Sequence, residues 1–399
     1  MGSGKTLITV AVIVVGLPVL VSCSGTAEPS PSPATTPSAN APSPTESEPT
    51  TAPVPDATEP TGPLVGIIMP DLPSDLWQRG GEKLQAELEA MGYQTDLQYG
   101  DMDWRQVFQI EDQILAGAEA LVIAAIDTGY LHQVLQTARD LGIAVISFQS
   151  PPDGTDNVDY WVTFDWDSGR LHGEYLRDTL GLDTPGASYT FESFAGSDDD
   201  GNSRFIFEGA MNILGPYMVG GQLVCLSGKC PVTADGWTDI AVRGSDPEEA
   251  RMMMMERLAY SYTLEKVEAV LAPYDSIALG IATALEDAGY QPGVDWPLLT
   301  GSGGREEDNL KLIVAGKQSM TLFADANHLA TATAKMVDQI LKGEPVVTNG
   351  TEDTCYPAAS NPCEPNLPKL TVDPVIVTKD NIKETMVDTG YFTAEQLGL

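Results

Sequence analysis

Apolar residues in this chain fall into short uninterrupted runs, separated by stretches in which they recur at helical spacing. The clearest case is 117–150. Ala120 to Ile126 is an apolar run of strand length, followed by Asp127 and Thr128 as a turn and helix cap. Leu131, Val134, Leu135, Ala138 and Leu141 then mark one face of a helix, Gly142 stops it, and Ile143 to Phe148 forms a second apolar run. Strand, helix and strand, with both strands apolar but for Ser147, predict a βαβ unit in a parallel sheet covered on both faces. Ligands of such sheets bind at the carboxyl ends of the strands, here Ile126-Asp127 and Phe148-Gln149-Ser150.

The same alternation runs through most of the chain. Strands are predicted at 64–69, 95–99, 160–164, 188–194, 222–226, 267–272, 320–323 and 375–378. Helices are predicted between them, including 171–180, one after Asn202, 247–262, 276–288 and 327–341. This pattern implies an α/β fold with two parallel sheets. A chain of 399 residues is too long for one compact core, so two lobes are expected.

The N-terminus breaks the pattern. Lys5 and the apolar stretch Leu7 to Leu20 read as a signal peptide, short of the roughly 20 residues that a spanning helix needs. The stretch closes on Leu20-Val21-Ser22-Cys23, which resembles the bacterial lipobox, in which the cysteine is lipid-modified. The expected organisation is therefore a signal peptide over 1–22 and a lipidated Cys23 with a Pro/Ser/Thr-rich tether over 23–62. The tether has too few apolar residues to fold.

Composition narrows the function. Fifty-seven acidic against 21 basic residues give a net charge of -36, which argues against nucleic acid as a partner. Apart from Cys23, the cysteines form two close pairs, Cys225 with Cys230 and Cys355 with Cys363, read as two local disulfides of an exported protein. A four-cysteine metal site is the alternative, but the spacings are too wide for CxxC pairs. Enzyme signals are poor. His132, His172 and His328 have no metal-ligand spacing, and His132 and His172 fall on predicted helix surfaces. There is no GxSxG elbow, and GSGKT at 2–6 lacks the upstream glycine and strand of a phosphate loop. Asp198-Asp199-Asp200 departs from the calcium-loop pattern at Ser203 and Gly209. Gly301-Ser302-Gly303-Gly304 reads either as a phosphate cradle or as a ligand-loop turn. Met252 to Met255 reads as core packing with one exposed methionine. No metal and no cofactor are expected.

Polar and aromatic residues at predicted strand ends are left: Trp77, Gln149, Asp165, Asn202, Tyr274 and Asp275. Sugar hydroxyls need carboxylate or amide partners, and sugar C–H faces stack on aromatic rings, so this mixture suits sugar binding. Hydrolysis would require two of the carboxylates to flank one bond.

From about Leu64 to Leu397 the chain resembles the type I periplasmic sugar-binding proteins, in the branch that serves multiple-sugar and xylose ABC transporters. The matching motifs are Leu76-Trp77, LQYGD at 97–101, LVIAAID at 121–127, NVDYWVTFD at 157–165, FAGSDDDGN at 194–202, EGAM at 208–211 and VLAPYDSIALGI at 270–281. The resemblance implies two Rossmann-like lobes joined by three crossovers near Asp165, Asp325 and Asp373, with a sugar clamped between them. It implies lobes of 63–165 with 326–372 and of 166–325 with 373–399. It gives Trp77 a stacking role and Asn202 a polar contact from the second lobe, and sets Tyr274 beside Asp275 at a contact position.

Four residues depart from the family, and four polar contacts are missing with them. Gln149-Ser150 stands for its Asp-Arg, Gly303 for the Asp of Gly-x-Asp, and Ala324 for Lys or Gln. Losing each charge-assisted hydrogen bond costs about 1.5–3 kcal/mol. Plain xylose, glucose and galactose are therefore not the expected preferred ligands, unless Arg79, Arg305 or Asp325 compensates. The implied function is a monomeric, lipid-anchored, extracytoplasmic solute-binding protein that delivers a sugar or sugar-like solute to an ABC permease, without catalysis. The alternatives are a receptor that signals to a membrane sensor, and a hydrolase on the same lobes. The anchor is testable alone: Cys23→Ala should move the protein from the membrane fraction to the medium, and unchanged retention would remove Cys23 from that role.

Overall fold

A computed structural model describes residues 61–72, 74–149, 157–165, 167–352 and 367–399. Cys23, the tether to residue 60, Ser150 and the Cys355/Cys363 pair lie outside these residues. In chain order, the first stretch contains β1 (Leu64–Pro70), α1 (Asp75–Ala90), β2 (Gln94–Gly100), α2 (Asp103–Leu115), β3 (Ala120–Ile123), α3 (Thr128–Asp140), β4 (Ala144–Phe148) and β5 (Tyr160–Phe164). The second contains α4 (Ser168–Leu180), β6 (Tyr189–Ser193), α5 (Gly201–Gly220), β7 (Leu223–Val224), α6 (Pro247–Ser261) and β8 (Ala269–Leu271), then α7 (Asp275–Asp287), β9 (Leu298–Leu299), α8 (Glu307–Val314) and β10 (Thr321–Phe323). The third contains α9 (Ala326–Leu341), β11 (Gly350–Glu352), β12 (Leu367–Val372), β13 (Val375–Val377) and α10 (Ala394–Leu397).

Two sheets result. The first runs β11-β12-β5-β4-β3-β1-β2, parallel except for the β11–β12 edge pair. The second runs β7-β6-β8-β9, all parallel, and a parallel bridge from Ser302 to Leu322 carries it on to β10, which pairs antiparallel with β13. The chain passes from the first sheet to the second between β5 and α4, returns between β10 and α9, and crosses again between β12 and β13. The antiparallel pairs and β12 escaped the sequence reading. Leu367–Val372 contains a proline and alternates weakly, and β12 becomes a strand because β5 offers it an open edge.

The apolar runs read from sequence are the inner strands. Val65, Ile67, Met69, Val122, Ile146, Phe148 and Val162 pack under α1 and α9, while Ile68, Leu121, Ile123 and Val145 pack under α2 and α3. Close approach sets the glycines. A side chain at Gly66 would overlap the carboxamide of Gln113, whose Nε2 donates to the Asp96 carbonyl at 2.8 Å. A side chain at Gly169 in α4 would overlap the Ile206 carbonyl of α5, so the two helices touch backbone to backbone there.

Buried polar groups mark where the sequence misleads. Glu192 on β6 and Arg257 on α6 are fully enclosed, 2.8 Å apart. Glu192 also accepts from the hydroxyls of Tyr262 at 2.7 Å and Ser227 at 2.8 Å, and Arg257 lies over the Phe194 ring. The Cys225 and Cys230 sulfurs stand at bonding distance, 2.07 Å, beside that carboxylate. With its oxygens already occupied, Glu192 is a poor third ligand for a metal at this cysteine pair. In the methionine run, Met254 is core, but both Met252 and Met255 are exposed, one more than expected.

His172 corrects the expectation of a solvated helix face. It is 0 % exposed on α4, and neither ring nitrogen has a partner among the described residues. It sits on the same side as Gly169, Gly173 and Leu176, the face that packs on α5. Burial pushes its pKa down from 6.5 to about 3. Between these values the unfolded chain binds a proton that the folded chain refuses, so stability falls as pH falls from about 6.5 towards 3. The slope from this group is about 1.4 kcal/mol per pH unit. Denaturant titrations at pH 7 and pH 5 should show a smaller loss in His172→Phe than in the wild type; equal losses would place the acid sensitivity elsewhere.

Candidate functional site

Where the chain crosses between the sheets, a cavity of about 540 Å³ opens at the carboxyl ends of the strands. Three of the residues singled out from sequence meet there: Asp165, Asn202 and Tyr274. Asp165 follows β5 at the first crossover. Its Oδ2 accepts from Arg170 Nη2 at 3.1 Å, and the same Nη2 reaches Asp373 Oδ1 at 2.8 Å on the third crossover. Arg170 Nη1 donates to Glu174 at 2.8 Å, so one guanidinium serves three carboxylates and ties two crossovers together. Those carboxylates raise its pKa against the opposing effect of burial.

Asn202 opens α5, whose N-cap is Asp200. Asp200 Oδ1 accepts from the Asn202 N–H at 3.0 Å, and its Oδ2 accepts from Ser203 Oγ at 2.9 Å and from the Tyr274 hydroxyl at 2.6 Å. Burial works to raise the Asp200 pKa, but these donors hold it below the usual carboxylate value. Burial and the neighbouring Asp200 push Tyr274 up to about 12. Tyr274 therefore spends its proton on the cap, and its side chain lines the cavity.

The other three expected contacts stand apart. Trp77 is half-buried on α1, packed against the first core, and is not among the residues lining this cavity. Gln149 adopts φ 62° and turns inward; its Oε1 accepts from Thr163 Oγ1 and the Phe164 N–H, both at 3.3 Å. Its side chain closes the end of β5 instead of facing the cavity.

Asp275 is 3 % exposed beneath the 301–304 loop. Its Oδ1 accepts from Gln318 Nε2 at 2.7 Å, and its Oδ2 accepts from the Gly304 N–H at 2.8 Å and Thr321 Oγ1 at 2.9 Å. Burial raises its pKa, while those three donors oppose the rise. Side chains at Gly301 or Gly303 would press on this carboxylate, which explains the glycines. The loop is no phosphate cradle either: the Gly303 N–H donates to Leu322 and the Gly304 N–H to Asp275. Asp165 and Asp275 do not face a common bond, so this pair has no arrangement for glycoside hydrolysis.

The possible compensating groups are also engaged. Arg79 donates to the Gly390 carbonyl at 2.9 Å and lies over the Tyr391 ring, and Arg305 donates to the Ala324 carbonyl at 3.2 Å. Asp325 caps α9 and accepts from the Tyr391 hydroxyl at 2.9 Å. Sequence reasoning missed Phe205, Glu208 and Asn212, which continue from Asn202 along one side of α5 into the cavity. The spacing 202, 205, 209, 212 was the available signal; it was obscured because Gly209 carries no side chain.

The description "Periplasmic binding protein domain" is matched over residues 65–345. The multiple sugar-binding periplasmic protein SbpA of Azospirillum brasilense is 38% identical over 337 residues, covering 84% of this chain and 91% of that protein. The multiple sugar-binding periplasmic receptor ChvE of Rhizobium radiobacter is also 38% identical, over 84% of this chain and 92% of its own length. A solved ABC transporter solute-binding protein of Clostridium phytofermentans with bound β-D-glucose is 36% identical, covering 84% of this chain and 99% of that one, with a TM-score of 0.52.

The Asp275 network predicts a large effect on stability. Asp275→Ala leaves three buried donors without an acceptor and should cost about 3 kcal/mol or more in chemical denaturation. A cost under about 1 kcal/mol would show that the loop does not depend on this carboxylate.

Proposed function

The chain belongs to the periplasmic binding protein domain family, with the type I fold of that family, and from this premise we propose that it binds a sugar or sugar-like solute outside the cytoplasm and delivers it to an ABC permease. The observation that carries the reading is the cavity at the crossovers, where Asp165, Asn202 and Tyr274 converge from separate elements. Carboxylate, amide and ring together suit a hydroxylated ring with C–H faces. The names of the relatives, sugar-binding periplasmic proteins, and the glucose held by the Clostridium protein support the same class of ligand.

Members of this family are binding proteins, and binding without turnover is the reading adopted for this chain. Closure of the two lobes would bring first-lobe groups such as Trp77 over the ligand. Cys23 would hold a monomer at the outer face of the membrane, on the 23–62 tether. Disulfides at Cys225/Cys230 and Cys355/Cys363 would suit that oxidising side. One relative is named a receptor, which favours keeping a sensing role as the second reading. Neighbouring permease genes would argue for transport, a neighbouring sensor kinase for sensing.

A thermal-shift screen over free sugars, polyols, sugar acids and glycosides tests the ligand class. A true ligand at 100 times its Kd adds about 2.7 kcal/mol of stability and raises Tm. The expected outcome is a shift from at least one sugar or glycoside that Trp77→Ala diminishes. A screen with no shift across those classes would overturn the reading.

A further inference from the structure

The cavity has two unlike walls. Along α5, the carboxamides of Asn202 and Asn212 and the carboxylate of Glu208 make no hydrogen bond among the described residues, and the Phe205 ring is 67 % exposed between them. These groups can take sugar hydroxyls and one ring face. The rest of the lining includes an apolar wall of Gly303, Leu322, Ala324, Pro374 and Phe164, with Asp165, Asp167 and Ser168 also reaching the cavity. The apolar wall is continuous, because Ser302 bridges Leu322 and Phe323 pairs with Val375 next to Pro374.

That wall has little polar capacity to offer. The Gly303 N–H donates to Leu322, the Leu322 N–H donates to Gly301, and the Ala324 carbonyl accepts from Arg305. The Ser302 hydroxyl beside it donates to the Pro273 carbonyl at 2.6 Å. No side chain of the five supplies a donor. Hydroxyls pressed there would lose their water without a partner, at about 1–3 kcal/mol each. The volume, about 540 Å³, falls within the roughly 300–1,000 Å³ of small-molecule sites.

Resting on the sugar-binding reading, we infer that the preferred ligand is a glycoside: a sugar ring held along α5, with an apolar aglycone laid against Gly303, Leu322, Ala324 and Pro374. Ala324 and Gly303 are then specificity-determining through their smallness. A long polar side chain at 324 would both fill the aglycone space and bring a donor into it.

Isothermal titration with matched pairs tests this: free D-glucose, D-galactose and D-xylose, their phenyl β-glycosides, and cellobiose. The expected result is one phenyl glycoside that binds at least tenfold tighter than its free sugar and tighter than cellobiose. Ala324→Lys should abolish that advantage while its melting temperature without ligand stays near that of the wild type. Ala324→Gln replaces it if the lysine variant does not fold. Asn212→Ala should weaken free sugar and glycoside alike. Equal or tighter binding of the free sugar, a preference for cellobiose, or an advantage that survives both substitutions at 324 would overturn the inference and leave sugar binding standing. No binding by any member of the panel would overturn both.

Discussion

A single buried carboxylate, Asp275, holds the second lobe's side of the site in shape. It lies at the start of α7 and draws together the 301–304 loop, Gln318 and the first residue of β10, while Asn309 of α8 donates to its main-chain carbonyl at 2.7 Å. Four groups within residues 301–321 thus meet on one residue that precedes them by 29 to 46 positions. An ionisable group so enclosed is tolerable only because donors surround it. Gly303, Leu322 and Ala324, which line the cavity, lie on or beside these segments, so that part of the lining is shaped by a buried group.

That arrangement also explains what could be read from the chain alone. Fold class was legible because it rests on period: Leu121 to Ile123 and Val145 to Phe148 are buried on both faces, with Ser147 the one polar residue among them. Asp165, Asn202 and Tyr274 were legible because they follow strands whose ends must face the crossovers. Asp275 follows a strand in the same way, yet it points under the loop, a direction set by the absence of side chains at 301 and 303. Gln149 differs for a similar reason: a left-handed backbone turns it inward onto β5. His172 shows the opposite failure, a polar residue on a helix face that three-dimensional packing encloses. Position along the chain predicts which residues approach a site; the last torsion angles decide which reach it.

The buried Glu192–Arg257 pair shows the cost of polar chemistry inside the second core. Either partner alone would be an uncompensated buried charge, at a cost of about 3–5 kcal/mol. The Cys225–Cys230 loop lies over this pair through Ser227, whose hydroxyl and N–H both reach Glu192. A short loop at a sheet edge is thereby bound to the centre of the lobe, at a place where sequence shows only a pair of nearby cysteines.

Arg170 has a mechanical consequence. Three separate strands of chain pass between the lobes, and three independent straps resist bending unless they lie in one line. By gripping Asp165 and Asp373 at once, Arg170 makes the first and third behave as one attachment, leaving the strap at Asp325 as the second. One guanidinium thus links two of the three passages between the sheets, and the remaining one passes separately at Asp325.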